Sequence, residues 1–433
     1  MNHHNLNALA LTQAQVYRDA IASPDRPLPR LMHHVSAWGT LRAAWRCSRR
    51  ESDGVENGVN SPLQGAEARA FLQDLAARLT AGTYEPGPVR RFQVPKPGRP
   101  DRTRTVALLD PADRVVHLAL KLVLEPLVEA RLGSRARCFG FRPGLGRLDQ
   151  LRAVGRLAER GPEPIEAALT ADIADCFDRI DHRKLLEDVR SLTNDSDLLA
   201  LLRRLLEQVG AGQRGWWRRR PVGLLQGSPL SPLLANLHLA RLDRAWRRSQ
   251  GNDSPLFRYA DDLIVLARDT DHAQRLRRHL ERTLRHQCRL GLSERKTRID
   301  LLDDGVPLLG LLVRRHLDPF DQQRHVRLFL DPQRVRHVLE EIVQWAKNLS
   351  RDRPIGPQFE QLNQRLRGWF EAFQVAHDAG SALETLDLAV YAWCAISFAL
   401  CSISPRNPSG NSSARGCPAG TTPGKLTARP CWS

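Results

Sequence analysis

The chain reads as an α+β protein in which antiparallel strands carry acidic residues and amphipathic helices pack around them. Three observations predict this. Leu256–Ala260 and Leu263–Ala267 are short runs rich in apolar, branched and aromatic residues, the composition of strands. Asp261 and Asp262 fall between them, which makes a tight hairpin with paired acids at its tip. A second acidic strand end lies upstream at Leu169-Thr170-Ala171-Asp172-Ile173. Helical periodicity supplies the third: Ala70, Leu72, Leu75 and Leu79 share a face of Ala66–Ala81, which Gly82 ends, and Leu276, Leu280 and Leu284 repeat along Asp271–Arg289. The arginines of that second helix read as a solvated face.

Composition narrows the partners. The 433 residues suffice for two or three packed subdomains. With 65 basic and 48 acidic residues the net charge is +17, a surplus that suits a polyanion bound through its phosphates. Charge alone also fits plain solubility or an anionic membrane surface. No apolar run approaches the length of a membrane span, and Met1-Asn2-His3-His4 lacks the features of a secretory signal. No membrane partner and a cytoplasmic location are therefore expected. Cys47, Cys138, Cys176 and Cys288 lack metal-ligand spacing and read as reduced thiols.

Aspartates are common in turns, so the hairpin by itself would be ordinary turn chemistry. Asp172 changes the weighting. Together with Asp261 and Asp262 it offers hard oxygen ligands for two Mg²⁺ ions, with Mn²⁺ as a substitute. Two such ions about 3.5–4 Å apart clamp the attacking and leaving oxygens of an in-line phosphoryl transfer. Tyr259-Ala260-Asp261-Asp262 resembles the YADD box of reverse transcriptases. The likeness covers most of the chain and is closest to the group II intron (maturase-type) enzymes and their CRISPR-associated relatives. It implies a right-hand polymerase of fingers, a palm with an antiparallel sheet, and a helical thumb.

In chain order, residues 1–60 form a helical N-terminal extension, with a helix around Leu28–Trp45 and a polar break at Glu51–Pro62. His3, His4, His33 and His34 read as exposed polar residues, having no acidic or cysteine partner. Tyr84–Pro97 is extended, and Arg102–Leu108 is its return strand. By the resemblance this is the fingers hairpin, in which Lys96 and Arg104 hold the triphosphate of the incoming nucleotide. Asp113 opens an apolar helix through Leu127. Phe139-Gly140-Phe141-Arg142-Pro143-Gly144 matches the GFRPG box, a rigid loop whose Arg142 is expected to touch template or nucleotide.

In the palm, the resemblance makes Asp172 a metal ligand, adds the Ile173 backbone carbonyl, and makes Phe177 the steric gate that excludes a 2′-hydroxyl. Ordinary core packing is the other reading of Phe177. Asp175, Asp178 and Asp181 are expected to cap the helix His182–Leu192. Trp216-Trp217-Arg218-Arg219-Arg220 suits base stacking and phosphate contact, or equally a hydrophobic edge with solvated arginines. Gly223-Leu224-Leu225-Gln226-Gly227 resembles the GxPQG turn under the nucleotide, with Gln226 and Gly227 as contacts and Leu225 in place of proline. A core-facing helix follows through Leu242. Lys296, in a stretch matching LxLxxxKT, is expected to stabilise or protonate the pyrophosphate leaving group. Leu308-Leu309-Gly310-Leu311 resembles the primer-grip turn.

Residues 333–393 read as thumb helices. Arg365 and Arg367 are backbone contacts for the template–primer duplex by the resemblance, and Trp369 and Phe370 are core. Residues 394–433 hold four cysteines and no Asp or Glu, and read as a disordered or aberrant tail, with the ancestral frame lost near Tyr391–Trp393. The expected division is thus 1–60, fingers and palm over 61–315, a thumb or maturase-like domain over 316–393, and the tail. The resemblance implies attack of a primer 3′-hydroxyl on a dNTP, with an RNA template and a DNA or RNA primer. Intron RNA or CRISPR adaptation proteins are the expected further partners, the latter in an antiviral defence setting. An RNA polymerase of the same palm class is one alternative, opposed by Phe177. An RNA-binding maturase with little or no polymerase activity is the other.

Overall fold

The computed structural model describes residues 3–24, 26–52, 65–96, 99–133, 136–160, 165–210, 221–251, 253–320, 322–348 and 354–402. Trp216–Arg220 and residues 403–433 lie outside them. Four helices open the chain: α1 (His3–Ala22), α2 (Met32–Ser36), α3 (Trp38–Ser52) and α4 (Gly65–Thr80). The single helix expected over Leu28–Trp45 is instead split. Pro27 and Pro29 disfavour helix before them, and Leu28 bonds with Leu192 and Thr193 (Leu28 N to Leu192 O, 2.9 Å). α1 and α3 pack on α5 (Pro111–Leu132), which runs past the expected end at Leu127 with Pro126 inside it.

The hairpin of β1 (Arg90–Lys96) and β2 (Arg99–Leu108) is shorter on its first strand than expected. Pro86 and Pro88 have no N–H for a ladder. Tyr84, buried, donates its hydroxyl to Asp113 instead. After α6 (Arg147–Arg160) come β3 (Ala167–Asp172), α7 (Cys176–Arg179), α8 (His182–Arg190), α9 (Ser196–Glu207) and α10 (Ser231–Gln250). Then follow β4 (Leu256–Tyr259), β5 (Asp262–Ala267), α11 (Thr270–Cys288) and β6 (Arg298–Leu301). The sheet order is β4-β5-β3-β6, antiparallel throughout.

Alternation along the strands splits the core between the two sheet faces. Ala167, Leu169, Ala171, Leu263 and Val265 pack with Leu276, Leu280 and Leu284 of α11 and with the apolar face of α10. Ala168, Ile264 and Leu266 pack on the other side, with Leu151 and Val154 of α6. That second core continues into a three-stranded sheet, β7 (Val306–Leu308), β8 (Leu311–Leu317) and β9 (Arg324–Leu330). Residues 316–330 were expected in the helical thumb; they complete this sheet instead, because Val326 and Leu330 are needed to close the second core.

Three helices end the described chain: α12 (Pro332–Lys347), α13 (Ile355–Phe373) and α14 (Ala379–Ser402). α14 passes through Tyr391–Trp393 and on to Ser402, so the first nine residues of the expected tail are helical. Their apolar composition, Cys394 to Leu400, sustains the helix. Among the described residues no helix is long and apolar enough to cross a membrane.

Candidate active site

The acids meet at one end of the four-stranded sheet. Tyr259 pairs with Asp262, so only Ala260 and Asp261 form the turn, and Asp262 opens β5 rather than sharing the hairpin tip. A two-residue turn leaves its flanking residues as the first cross-strand pair. Asp262 faces Asp172 directly across the β3–β5 ladder. Directly opposed residues have Cβ atoms about 4.5–5.5 Å apart. Ile173 N donates to the Asp261 carbonyl at 3.2 Å, which ties the turn to the end of β3. Three carboxylates are thereby gathered from two strands and one turn.

The turn is held from beneath. Ala260 adopts a left-handed φ of 57°, strained for a residue with a Cβ. Arg258, fully buried, donates from Nη1 to the Ala260 carbonyl (3.1 Å) and to Asn236 Oδ1 (2.8 Å), and its Nη2 pairs with Asp243 at 2.7 Å. Asn236 in turn donates to the Gly140 carbonyl at 2.7 Å. A Cβ on Gly140 would lie 2.5 Å from Ala260 N, so only glycine lets the 139–144 loop pack against the acidic turn. Sequence reasoning missed Arg258 as a support. Its signal was a lone arginine inside an apolar strand.

Crowding sets the electrostatics. Burial and then the Asp172 carboxylate raise the pKa of Asp261. Burial, Asp261 and Asp172 push Asp262, whose outer edge reaches solvent, up to about 6. Lys296 Nζ lies 2.5 Å from Asp172 Oδ2 and brings a positive charge to the cluster. Among the described residues no three acidic, histidine or cysteine side chains converge on one point as a ready-made cage. The donor chemistry nevertheless suits a divalent ion: crowded hard carboxylate oxygens, those of Asp261 and Asp262 raised in pKa, are relieved by a cation. The backbone bonds fastening this segment use the Asp172 and Asp261 carbonyls, not that of Ile173.

The neighbouring loops line the approach. The half-buried Phe177 ring meets Phe141 edge-on, with centroids 6.4 Å apart. It packs against the core, in line with the packing reading of this residue. Gly227 has a φ of 105°, and a Cβ there would meet the Ala107 carbonyl at 2.5 Å. Ala107 N donates to the Gln226 carbonyl at 2.6 Å, and the Gln226 side chain reaches Asp178 at 3.3 Å. Leu225, where the pattern has proline, is buried with Ala107 and Leu109 and anchors the loop to the hairpin. Arg104 is exposed, two residues from Val106, whose side chain approaches Gly227. Lys96 ends β1 opposite Arg99 rather than Arg104.

Other expected contacts fall elsewhere. Arg142 is not free to reach template: its guanidinium forks onto Glu129 (2.7 Å), donates to the Cys138 carbonyl and is largely buried. Its physical task is to brace the 139–144 loop against α5. Asp181 caps α8 through Lys184 N as expected, whereas Asp175 pairs with Arg179 and makes no cap bond. Arg365 and Arg367 are exposed on α13.

An antiparallel sheet that gathers carboxylates at one end, with a basic hairpin before it and a group of helices after it in the chain, is the arrangement of a polymerase palm. The family profile described as reverse transcriptase (RNA-dependent DNA polymerase) matches residues 94–318. The chain belongs to the reverse transcriptase family and is an RNA-directed DNA polymerase with the right-hand fold. It is 27% identical to protein YkfC of Escherichia coli (strain K12) over 302 residues, 62% of this chain and 78% of that one. It is 28% identical to the group II intron-encoded protein LtrA of Lactococcus lactis subsp. cremoris over 193 residues, 42% of this chain and 31% of LtrA. A solved partial Cas6-RT-Cas1–Cas2 complex aligns over 58% of this chain and 40% of its own chain, with 22% identity and a TM-score of 0.33.

Proposed function

We propose that the chain extends a primer along an RNA template in the manner of group II intron enzymes, with Asp172, Asp261 and Asp262 as its metal-binding acids. The observation carrying this is the direct pairing of Asp172 with Asp262 across the β3–β5 ladder beside the Asp261 turn, with Asp261 raised in pKa by burial and Asp172, and Asp262 by burial, Asp261 and Asp172. Asp172 and Asp261 hold two Mg²⁺ ions, for which Mn²⁺ can substitute, and Asp262 and the Ile173 carbonyl support them. Bound there, the ions would stabilise charge on the reacting phosphate and favour ionisation of the primer 3′-hydroxyl.

The chain's own groups do the rest. Arg104 and Lys96 fix the triphosphate of the dNTP. Phe177, backed by Phe141, leaves no room for a 2′-hydroxyl. Gln226 and Gly227 form the floor beneath the nucleotide. Lys296 leaves Asp172 for the pyrophosphate, whose charge it meets or protonates. Arg365 and Arg367 follow the duplex backbone from the thumb helices, which begin at Pro332, with fingers and palm before them. The likeness to LtrA supports an intron RNA as a natural partner in the cytoplasm; CRISPR adaptation proteins are the alternative assembly.

Primer extension on an RNA template with Mg²⁺ and dNTPs, beside Asp261→Ala, tests the reading. Losing several kcal/mol of transition-state stabilisation should slow the variant roughly a thousandfold or more. Equal rates would refute the role of Asp261. A folded wild type that binds template–primer without extending it would refute the polymerase reading in favour of a maturase.

A further inference from the structure

Helix α11 carries an outward row of arginines that catalysis does not use. Arg275, Arg278, Arg282, Arg285 and Arg289 follow one another at intervals of three or four residues, the spacing that aligns side chains on one helix face. All five are exposed, while Leu276, Leu280, Leu284 and Cys288 are buried beneath them. At about 1.5 Å of rise per residue, the row is about 21 Å long. Like charges at these spacings repel, and nearby acids relieve only some of them. Asp269 lies near Arg275, Arg285 pairs with Glu281 at 3.2 Å, and Arg289 pairs with Asp181 at 2.7 Å. Arg278 and Arg282 have no carboxylate within ion-pair distance among the described residues.

The row also faces away from the active site. Asp172 and Asp262 share their sheet face with Ala168, Ile264 and Leu266, which pack toward α6. α11 covers the opposite face, that of Ala167, Leu169 and Leu263, and the arginines stand on the far side of that helix. The row therefore stands on the side of the palm sheet opposite the acids, and only its C-terminal end, at Arg289, comes close to the strand end that carries them.

We propose that this row is a second nucleic-acid contact, which takes the phosphate backbone of an RNA segment lying outside the template–primer duplex. Guanidinium groups grip phosphates bidentately, and a row about 21 Å long spans several of them. An anionic bilayer is a poorer fit, because a membrane-surface helix also presents apolar residues, and those of α11 are spent in the core. The partner's identity rests on the chain being a nucleic-acid polymerase. The test reads binding directly, so it stands even if primer extension fails.

The test compares the wild type with the triple variant Arg278→Gln, Arg282→Gln, Arg285→Gln. A long labelled RNA and a short hairpin template–primer, confined to the catalytic cleft, are titrated over a range of salt. The triple variant should bind the long RNA more weakly, with the slope of log K against log salt smaller by about 2, since each single-strand phosphate contact contributes about 0.7. Binding and extension of the short template–primer should be unchanged, and the triple Arg→Lys variant should retain most long-RNA affinity. A matching loss on single-stranded DNA would identify bare phosphate as the ligand, and a loss on RNA alone would add ribose contacts. An unchanged salt slope on long RNA, or an equal loss on the short template–primer, would overturn the proposal.

Discussion

Arg258 shows how much one buried residue decides here. It is fully buried, pairs with Asp243, and holds the carbonyl of the left-handed residue before Asp261. Arg258→Leu would leave the Asp243 carboxylate largely buried without its cation, a loss of about 3–5 kcal/mol. Urea unfolding should register that loss, and an unchanged midpoint would mean that the pair contributes little. Phe177 is the residue proposed to discriminate the sugar. Its ring is braced edge-on by Phe141, so Phe177→Ala should raise ribonucleotide incorporation relative to dNTPs by about tenfold or more. Single-nucleotide extension with each substrate measures this, and an unaltered ratio would leave Phe177 a packing residue.

At the scale of elements, the loop at 223–227 and helix α5 act together. His117 on α5 is buried with its Nδ1 2.6 Å from Ser228 Oγ, just after that loop. Burial pushes its imidazole from 6.5 down to about 4. Between those values the folded chain binds fewer protons than the unfolded chain, so stability rises with pH through the window. The contribution is complete above the unfolded value and is lost as pH falls toward the folded one. His117→Gln should therefore lose less stability than the wild type as the pH drops from neutral to about 5. Parallel curves of unfolding midpoint against pH would contradict this.

Across the whole molecule, the four-stranded sheet separates two surfaces. One face leads to the acids, α6 and the second core, and the other is sealed by α10 and α11. The net charge of +17 is consequently not spent at one place. Arg104 belongs to the side of the fingers loop, Arg365 and Arg367 to the thumb helices, and the α11 row to the back of the palm. Most of this organisation was legible in the chain. Short apolar runs marked β4 and β5, and Leu276, Leu280 and Leu284 marked the buried face of α11. Residues 316–330 were misread because polar residues such as His316, His325 and Arg327, half-buried along the strands, interrupt their apolar pattern.

By itself the sequence determined the reaction class, because the boxes at Phe139–Gly144, Gly223–Gly227 and Tyr259–Asp262 stand in the order of the reverse transcriptase family. Local periodicity also determined most helices, since the apolar stripe needed to bury one face is written into residue spacing. Only the tertiary structure decided which acids face one another, that Arg142 is committed to Glu129, and that Arg258 supports the turn. The physical reason is range. Hydrogen bonds and ion pairs between distant segments depend on strand register and on side-chain direction, and a one-residue shift in register would turn every side chain to the other face.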